Sequence, residues 1–351
     1  MHMADALLSP AVGGGLWVAA AGLTAYAARG VSRETEARQS PLMGVLGAFV
    51  FAAQMINFAI PGTGSSGHLG GGLLLAVLLG SHAGFIVMAA ILTAQALLFA
   101  DGGLLALGAN LVNLGFFTCF VAYPLIYLPI ARRGSSPRRT LVAAVAASVV
   151  GLQLGSLGVV LETSLSGISR LPVLPFLAFM QPIHLAIGLV EGIVTAAVLL
   201  TLSRARPDLA RPGDEHGAQR SLGGGASRRV ALALTVAAVL VAGGLSTLAS
   251  NHPDGLEWAL ERVGFAEASD GAPGPTHRRL AELQSRTSLF PDYATPSAEP
   301  EGVSVEPTVA PAAVSLPGLF GVAATLLIAG SLGVLLRRLR PPARPDPGAK
   351  P

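Results

Sequence analysis

Charge is almost absent from most of this chain and crowded into a few blocks. Between the blocks lie apolar runs at about 10–28, 41–59, 69–80, 83–100, 103–131, 139–161, 173–202, 229–249 and 316–336. Most approach the ~20 residues an α-helix needs to cross a bilayer. Lipid offers the backbone no hydrogen-bond partners, so only helices or closed barrels can span it, and long unalternating runs are helical. Charged residues are 12% of the total, about half the ~25% of soluble domains. The expected fold is an all-α polytopic membrane protein, with a bundle of about seven helices followed by a two-helix module. The third run is short; it is either half-buried or continuous with the fourth through Gly80-Ser81-His82-Ala83-Gly84.

The arginines set an orientation. With Met1 outside and sides alternating at each helix, every basic residue except Arg170, Arg262, Arg278, Arg279 and Arg286 falls inside, as the positive-inside bias requires. The chain is therefore expected to cross the cytoplasmic (inner) membrane many times, with its C-terminus in the cytoplasm. Merging the third and fourth runs would send Arg132, Arg133, Arg138 and Arg139 outside, which argues for two separate helices. Two composition breaks follow residue 203. Residues 204–228, with Pro207, Pro212 and Gly223-Gly224-Gly225, read as a cytoplasmic linker. Residues 250–315 read as an external loop between helices at about 229–249 and 316–336, disordered near Pro291–Pro311. The tail 341–351 reads as unstructured. A cleaved signal peptide is not expected, because no basic segment precedes the first apolar run and Asp5 does. The bulky His2 is expected to keep Met1 in place.

Several function classes are excluded. Cys119 is the lone cysteine, so no disulfide framework or cysteine cluster is possible. Lys350 is the only lysine and no G-x-x-x-x-G-K-[ST] occurs, so the chain is expected to hydrolyse no ATP. There is no H-E-x-x-H and no Ser/His/Asp ordering, so an enzyme is not expected. The basic bias speaks to orientation rather than to nucleic acid.

A metal remains. Met1-His2 offers an α-amine, an amide nitrogen and an imidazole that can close two fused chelate rings on one cation. Ni(II), Cu(II) and Co(II) favour nitrogen donors, and a planar set suits the first two best. The fourth donor is expected to be His68, in Pro61-Gly62-Thr63-Gly64-Ser65-Ser66-Gly67-His68-Leu69-Gly70, on the same outer side. That glycine-rich loop is expected to bend sharply at membrane depth or at its outer edge. Gln54, Asn57, Gln95, Asn110, Asn113, Gln153, Gln181, His184 and Glu191 lie within runs and should face the bundle interior. The amides read as interhelical hydrogen bonds; His184 and Glu191, seven apart, share a helix face, and Glu191 reads as functional. Asp101 is expected to cap the next helix, or else to orient a ligand. His216, His252 and His277 read as solvated loop residues. Rival readings are a haem protein using His68, His82 and His184, a channel or secondary transporter using Glu191 and the buried amides, and a ligand-free structural subunit.

Three stretches then carry a resemblance. Met1-His2 with the Pro61–Gly72 loop, Phe99-Ala100-Asp101-Gly102-Gly103-Leu104-Leu105-Ala106-Leu107-Gly108-Ala109-Asn110, and His184-Leu185-Ala186-Ile187-Gly188-Leu189-Val190-Glu191-Gly192 resemble the CbiM/NikM family over about residues 1–203. These are substrate-capture subunits of energy-coupling-factor transporters for cobalt and nickel. Pro253-Asp254-Gly255-Leu256-Glu257 resembles the PDGLE signature of the small NikN/CbiN-type partner, over about 229–340; the stretch after Gly264 resembles nothing nameable. The resemblance implies Ni(II) or Co(II) as transported substrate, with no prosthetic group. It implies as ligands the Met1 amine, the His2 amide nitrogen and ring, and the His68 ring, with Asn57, Ser66, Asp101, Asn110, His184 and Glu191 as candidate neighbours. It also implies a transmembrane coupling subunit and ATPase subunits as partners, and a PDGLE module that positions the N-terminus or loads metal. The family often reads Gly-Thr-Ser-Gly-His, or Ser-His-Pro-Thr-Gly in cobalt-type members. Here the loop is Gly64-Ser65-Ser66-Gly67-His68, and its Gly-His-Leu form leans toward nickel.

Overall fold

The computed structural model describes residues 1–34, 40–133, 136–168, 171–205, 224–265, 274–295 and 311–339. The centre of the expected linker, most of the segment expected to be disordered, the C-terminal tail, Arg170 and His216 lie outside them. The described helices are α1 (Pro10–Glu34), α2 (Ser40–Gln54), α3 (Gly72–Leu79), α4 (Ser81–Leu98), α5 (Leu107–Ala131), α6 (Pro137–Ser166), α7 (Val173–Ala205), α8 (Gly224–Gly243), α9 (Gly255–Arg262), α10 (Pro275–Thr287) and α11 (Pro311–Arg338). Six are long and apolar enough to cross a membrane. α5 is wound in the wider π form over Leu111–Tyr127.

The second helix stops short of its expected end at 59. Beyond Gln54 the chain forms an antiparallel hairpin, β1 (Phe58–Ile60) against β2 (Ser65–Gly67), with Phe58 opposite Gly67. An apolar triplet such as Phe58-Ala59-Ile60 suits helix or strand equally. Pro61, with Gly62 and Gly64 at φ 79° and 76°, decides for the turn. Asn57 therefore lies past the helix rather than inside a span, and its carbonyl accepts from Ser250 N at 2.8 Å.

The third apolar run is helical only over Gly72–Leu79. α3 has eight residues, about 12 Å of rise. Ahead of it lie the short strand Ser65–Gly67 and irregular backbone over 68–71, with Gly71 left-handed at φ 76°. The chain then reverses at Gly80 (φ 84°) and α3 folds back on α4, so the two are separate. Gly84 permits the approach: a Cβ there would lie 2.8 Å from Ala76 N.

Irregular backbone buried at Gly70 and Gly71 must find its partners within the protein, and polar residues of the helices supply them. Gln54 Nε2 donates to Gly70 O at 2.7 Å, and Gln95 Nε2 donates to Gln54 Oε1 at 2.9 Å. The Glu191 carboxylate accepts from Gly70 N at 2.7 Å and Gly71 N at 3.1 Å, at the amide-rich start of α3, where negative charge is favoured. Glu191, read from sequence as a candidate for an ion path, here anchors the loop that carries His68. Glu191→Leu leaves both amides without an acceptor. At about 1–3 kcal/mol for each buried orphan, the variant is expected to unfold well below the parent temperature in detergent; an unchanged midpoint would remove this role.

The remaining helices pack on close-approach faces. Gln153 Nε2 of α6 donates to Gln181 O of α7 at 2.8 Å, the interhelical bonding expected of these amides. α11 lies along α2, where a Cβ on Gly44 would come within 2.7 Å of Leu326 O. α8 also packs on α2, and α9 on α7.

Candidate functional site

The first residues fold inward. Met1 is 5% exposed and Met3 is fully buried. Met3 N donates to Asn110 Oδ1 at 2.8 Å, Asn110 Nδ2 returns a bond to Met3 O at 3.3 Å, and Gly103 N reaches the same carbonyl at 2.9 Å. Asp5 Oδ1 accepts from Ala106 N at 3.0 Å, and any side chain at Gly103 would collide with Asp5. An end that would ordinarily fray is held like the strand of a sheet.

This brings the N-terminus to the glycine-rich loop. Met1 N lies 3.2 Å from His68 Nε2, and the His2 and His68 rings stack at 5.1 Å with 9° between their planes. His68 Nδ1 lies 3.1 Å from Leu69 O. A carbonyl can only accept, so Nδ1 carries the proton and Nε2 presents its lone pair to Met1. Burial, then the N-terminal ammonium and His2, hold the His68 pKa down to about 3, so the ring is neutral at ordinary pH.

Two carboxylates hold the outer atoms. Asp254 Oδ2 pairs with Met1 N at 2.7 Å. Asp101 Oδ1 lies 3.1 Å from His2 Nδ1, and Asp101 Oδ2 accepts from Tyr293 OH at 2.6 Å. Burial pushes both carboxyls up. The ammonium at Asp254 and His2 at Asp101 outweigh it and hold both well below the usual carboxylate range. Asp254 is placed by its own helix: it is the N-cap of α9, accepting from Leu256 N and Glu257 N at 2.8 Å each, with Glu257 returning the capping-box bond. Ser66 ties β2 to that turn, N to Pro253 O at 2.8 Å and Oγ to His252 O at 2.8 Å.

His184 lines the same cavity as Met1, His68, Asp254 and Gly255. Its Nδ1 bonds Met180 O at 2.8 Å, and its Nε2 is buried with no partner, as is His2 Nε2. Among the described residues no three His, Cys, Asp or Glu side chains group as a metal cluster; the donors gathered here include a terminal amine and a backbone amide.

The structure corrects two expectations here. Asp101 caps no helix, since α5 begins six residues later, and it orients His2 instead. His277 is not simply solvated; its Nε2 bonds Leu8 O at 2.9 Å. Of the histidines weighed as haem ligands, His68 and His184 line one cavity, while His82 packs with Tyr26 and Phe120 at the far end of α4 from Asp101. Tyr293 was missed. The only signal was the aromatic pair in Leu289-Phe290-Pro291-Asp292-Tyr293, in a segment otherwise read as disordered.

Comparison with known proteins agrees in kind. Residues 2–209 match the family model described as the cobalt uptake substrate-specific transmembrane region, and residues 228–338 match the PDGLE domain. The chain is 34% identical over 304 residues to a putative fused nickel transport protein NikMN of Archaeoglobus fulgidus, covering 86% of this chain and 90% of that one. It is 30% identical over 354 residues to the fused nickel transport protein NikMN of Rhodobacter capsulatus, covering 94% and 96%. It is 32% identical to the cobalt transport protein CbiM of Geobacter sulfurreducens, covering 60% and 61%. A crystal structure titled as a truncated transition metal transporter superposes with a TM-score of 0.50 at 30% identity, covering 58% of this chain and 99% of that one.

Proposed function

Because the chain belongs to the family of cobalt uptake substrate-specific transmembrane regions, we propose that it captures nickel or cobalt ions for uptake across the cytoplasmic membrane, as the substrate-specific component of an energy-coupling-factor transporter. The observation that carries this reading is the buried Met1 amine 3.2 Å from the His68 lone pair, with the His2 ring stacked beside it. The four donors are the Met1 amine, the His2 amide nitrogen, the His2 ring and the His68 ring.

The chemistry balances. Binding a divalent ion displaces the ammonium proton and the His2 amide proton. The cation with its anionic amide carries one net positive charge, as the ammonium did, so Asp254 faces the same charge before and after. The chelate needs His2 Nδ1, which Asp101 holds here. Turning the ring frees Nδ1 for the ion and lets Asp101 accept from Nε2–H, the common support for a ligating imidazole. Four nitrogens in a plane suit Ni(II) better than Co(II), so nickel is the favoured substrate.

In this reading residues 1–203 form the capture body and 229–340 the PDGLE module, with Met1 outside and the C-terminus in the cytoplasm. A transmembrane coupling subunit and ATPase subunits supply energy. The test is accumulation of radioactive nickel by cells lacking other nickel uptake. Uptake is expected with the chain plus those subunits and is abolished by His68→Ala. Uptake into liposomes by the chain alone, without ATP, would instead establish a stand-alone carrier.

A further inference from the structure

Residues 275–293 have no role in the function described so far, yet they are built firmly onto the site's outer loop. Gln284 Nε2 of α10 donates to Ala96 O at 2.9 Å and Gly102 O at 2.8 Å. Leu289 N and Phe290 N both reach Leu98 O, at 2.9 and 3.1 Å, and Asp292 N reaches Phe99 O at 2.9 Å. The Tyr293 ring stacks on Phe99 at 4.7 Å and 16°, and His277 fastens the start of α10 to Leu8 O. The non-glycine residues with left-handed backbone among those described are Ala100 (φ 55°), Asp292 (φ 51°) and Tyr293 (φ 56°). All sit at this joint. Such backbone persists only where the surroundings over-determine it, and it gathers at functional sites.

What the joint delivers is one hydroxyl. Tyr293 OH donates to Asp101 Oδ2, and the other oxygen of that carboxylate holds His2. We infer that Tyr293, carried by the Pro275–Tyr293 clamp, is a positioning residue for metal capture: it fixes the Asp101 carboxylate, which in turn fixes the His2 imidazole. This rests on His2 being a ligand. Once the ring has turned to present Nδ1 to the ion, the carboxylate that Tyr293 holds in place accepts from Nε2–H and supports the ligating ring, so the clamp supplies a fixed acceptor from a segment remote in sequence.

The test is a Ni(II) titration of the full chain. Tyr293→Phe keeps the ring stack and removes the hydroxyl. Affinity is expected to fall about tenfold, the lower range for a group supporting a metal ligand. In an Asp101→Asn background the same change should cost nothing further, because both substitutions break one chain of contacts. An affinity within about twofold of the parent, or a full additional loss in the Asp101→Asn background, would overturn the inference. A second readout needs no metal: the imidazole nitrogen NMR signals of His2 should shift in Tyr293→Phe, and unchanged signals count against the role. If nickel binding proves independent of a free Met1 amine, the chelate reading fails while the NMR comparison still judges the Tyr293–Asp101–His2 linkage.

Discussion

A chain lengthened by one residue ahead of Met1 is expected to lose high-affinity nickel binding. The extension turns the α-amine into an amide, which breaks one of the two fused rings. It also has nowhere to go, since Met1 N is already confined between His68 Nε2 at 3.2 Å and Asp254 Oδ2 at 2.7 Å, in a residue 5% exposed. Losing a supporting partner of a ligand costs about 10–100-fold in metal affinity; losing a ligand together with its packing should exceed about 100-fold. His68→Ala should do the same through the other side of the ion. His252→Gln, in an exposed side chain, should leave binding alone. Competition against a coloured chelator measures all three, and an extended chain that binds within about threefold of the parent would remove the proposed site. Affinity should also fall as pH falls, because the ammonium and amide protons compete with the ion.

Asp254→Ala is expected to undock α9 from the N-terminus. The substitution removes the cap, worth about 1 kcal/mol. It also strips the Met1 ammonium of its partner. Breaking a fully buried pair costs about 3–5 kcal/mol, and the 19% exposure of the Asp254 side chain places this pair toward the lower end. Asp254→Asn keeps an oxygen for Leu256 N and Glu257 N and loses only the charge, so it should be milder. Limited proteolysis around residues 250–265 reads the difference; equal protection in parent and Asp254→Ala would refute it. The pH dependence has a definite sign. The folded carboxyl titrates below its unfolded value of about 3.9. Its contribution is therefore complete above that value and is lost as pH falls through the depressed folded value.

The pairing of His2 with His68 was legible because the arginine distribution predicts both on the same side of a membrane. The resemblance of Pro253–Glu257 implied a module that positions the N-terminus or loads metal, but not that Asp254 is the residue that meets Met1. Other features were not legible. The Glu191 carboxylate reaches amides 120 and 121 positions away, and no local period encodes such a contact. The glycines at 70–72 announce close approach without saying what approaches. Asp101 was misread because a carboxylate before a helical run ordinarily caps it, and here Gly102 (φ 82°) turns the chain away first. The docking of Phe290 and Tyr293 depends on Phe99, buried against Phe51 of α2 and Phe320 of α11, which only the assembled bundle reveals.

The contact between Met1 and Asp254 spans 253 positions of one polypeptide. Made between two freely diffusing proteins, it would depend on how often they meet and would weaken on dilution. Within a single chain the two segments stay near one another at an effective concentration on the order of millimolar. A weak individual attraction then suffices to keep the pair together, and every copy made in the cell carries matched halves in a one-to-one ratio.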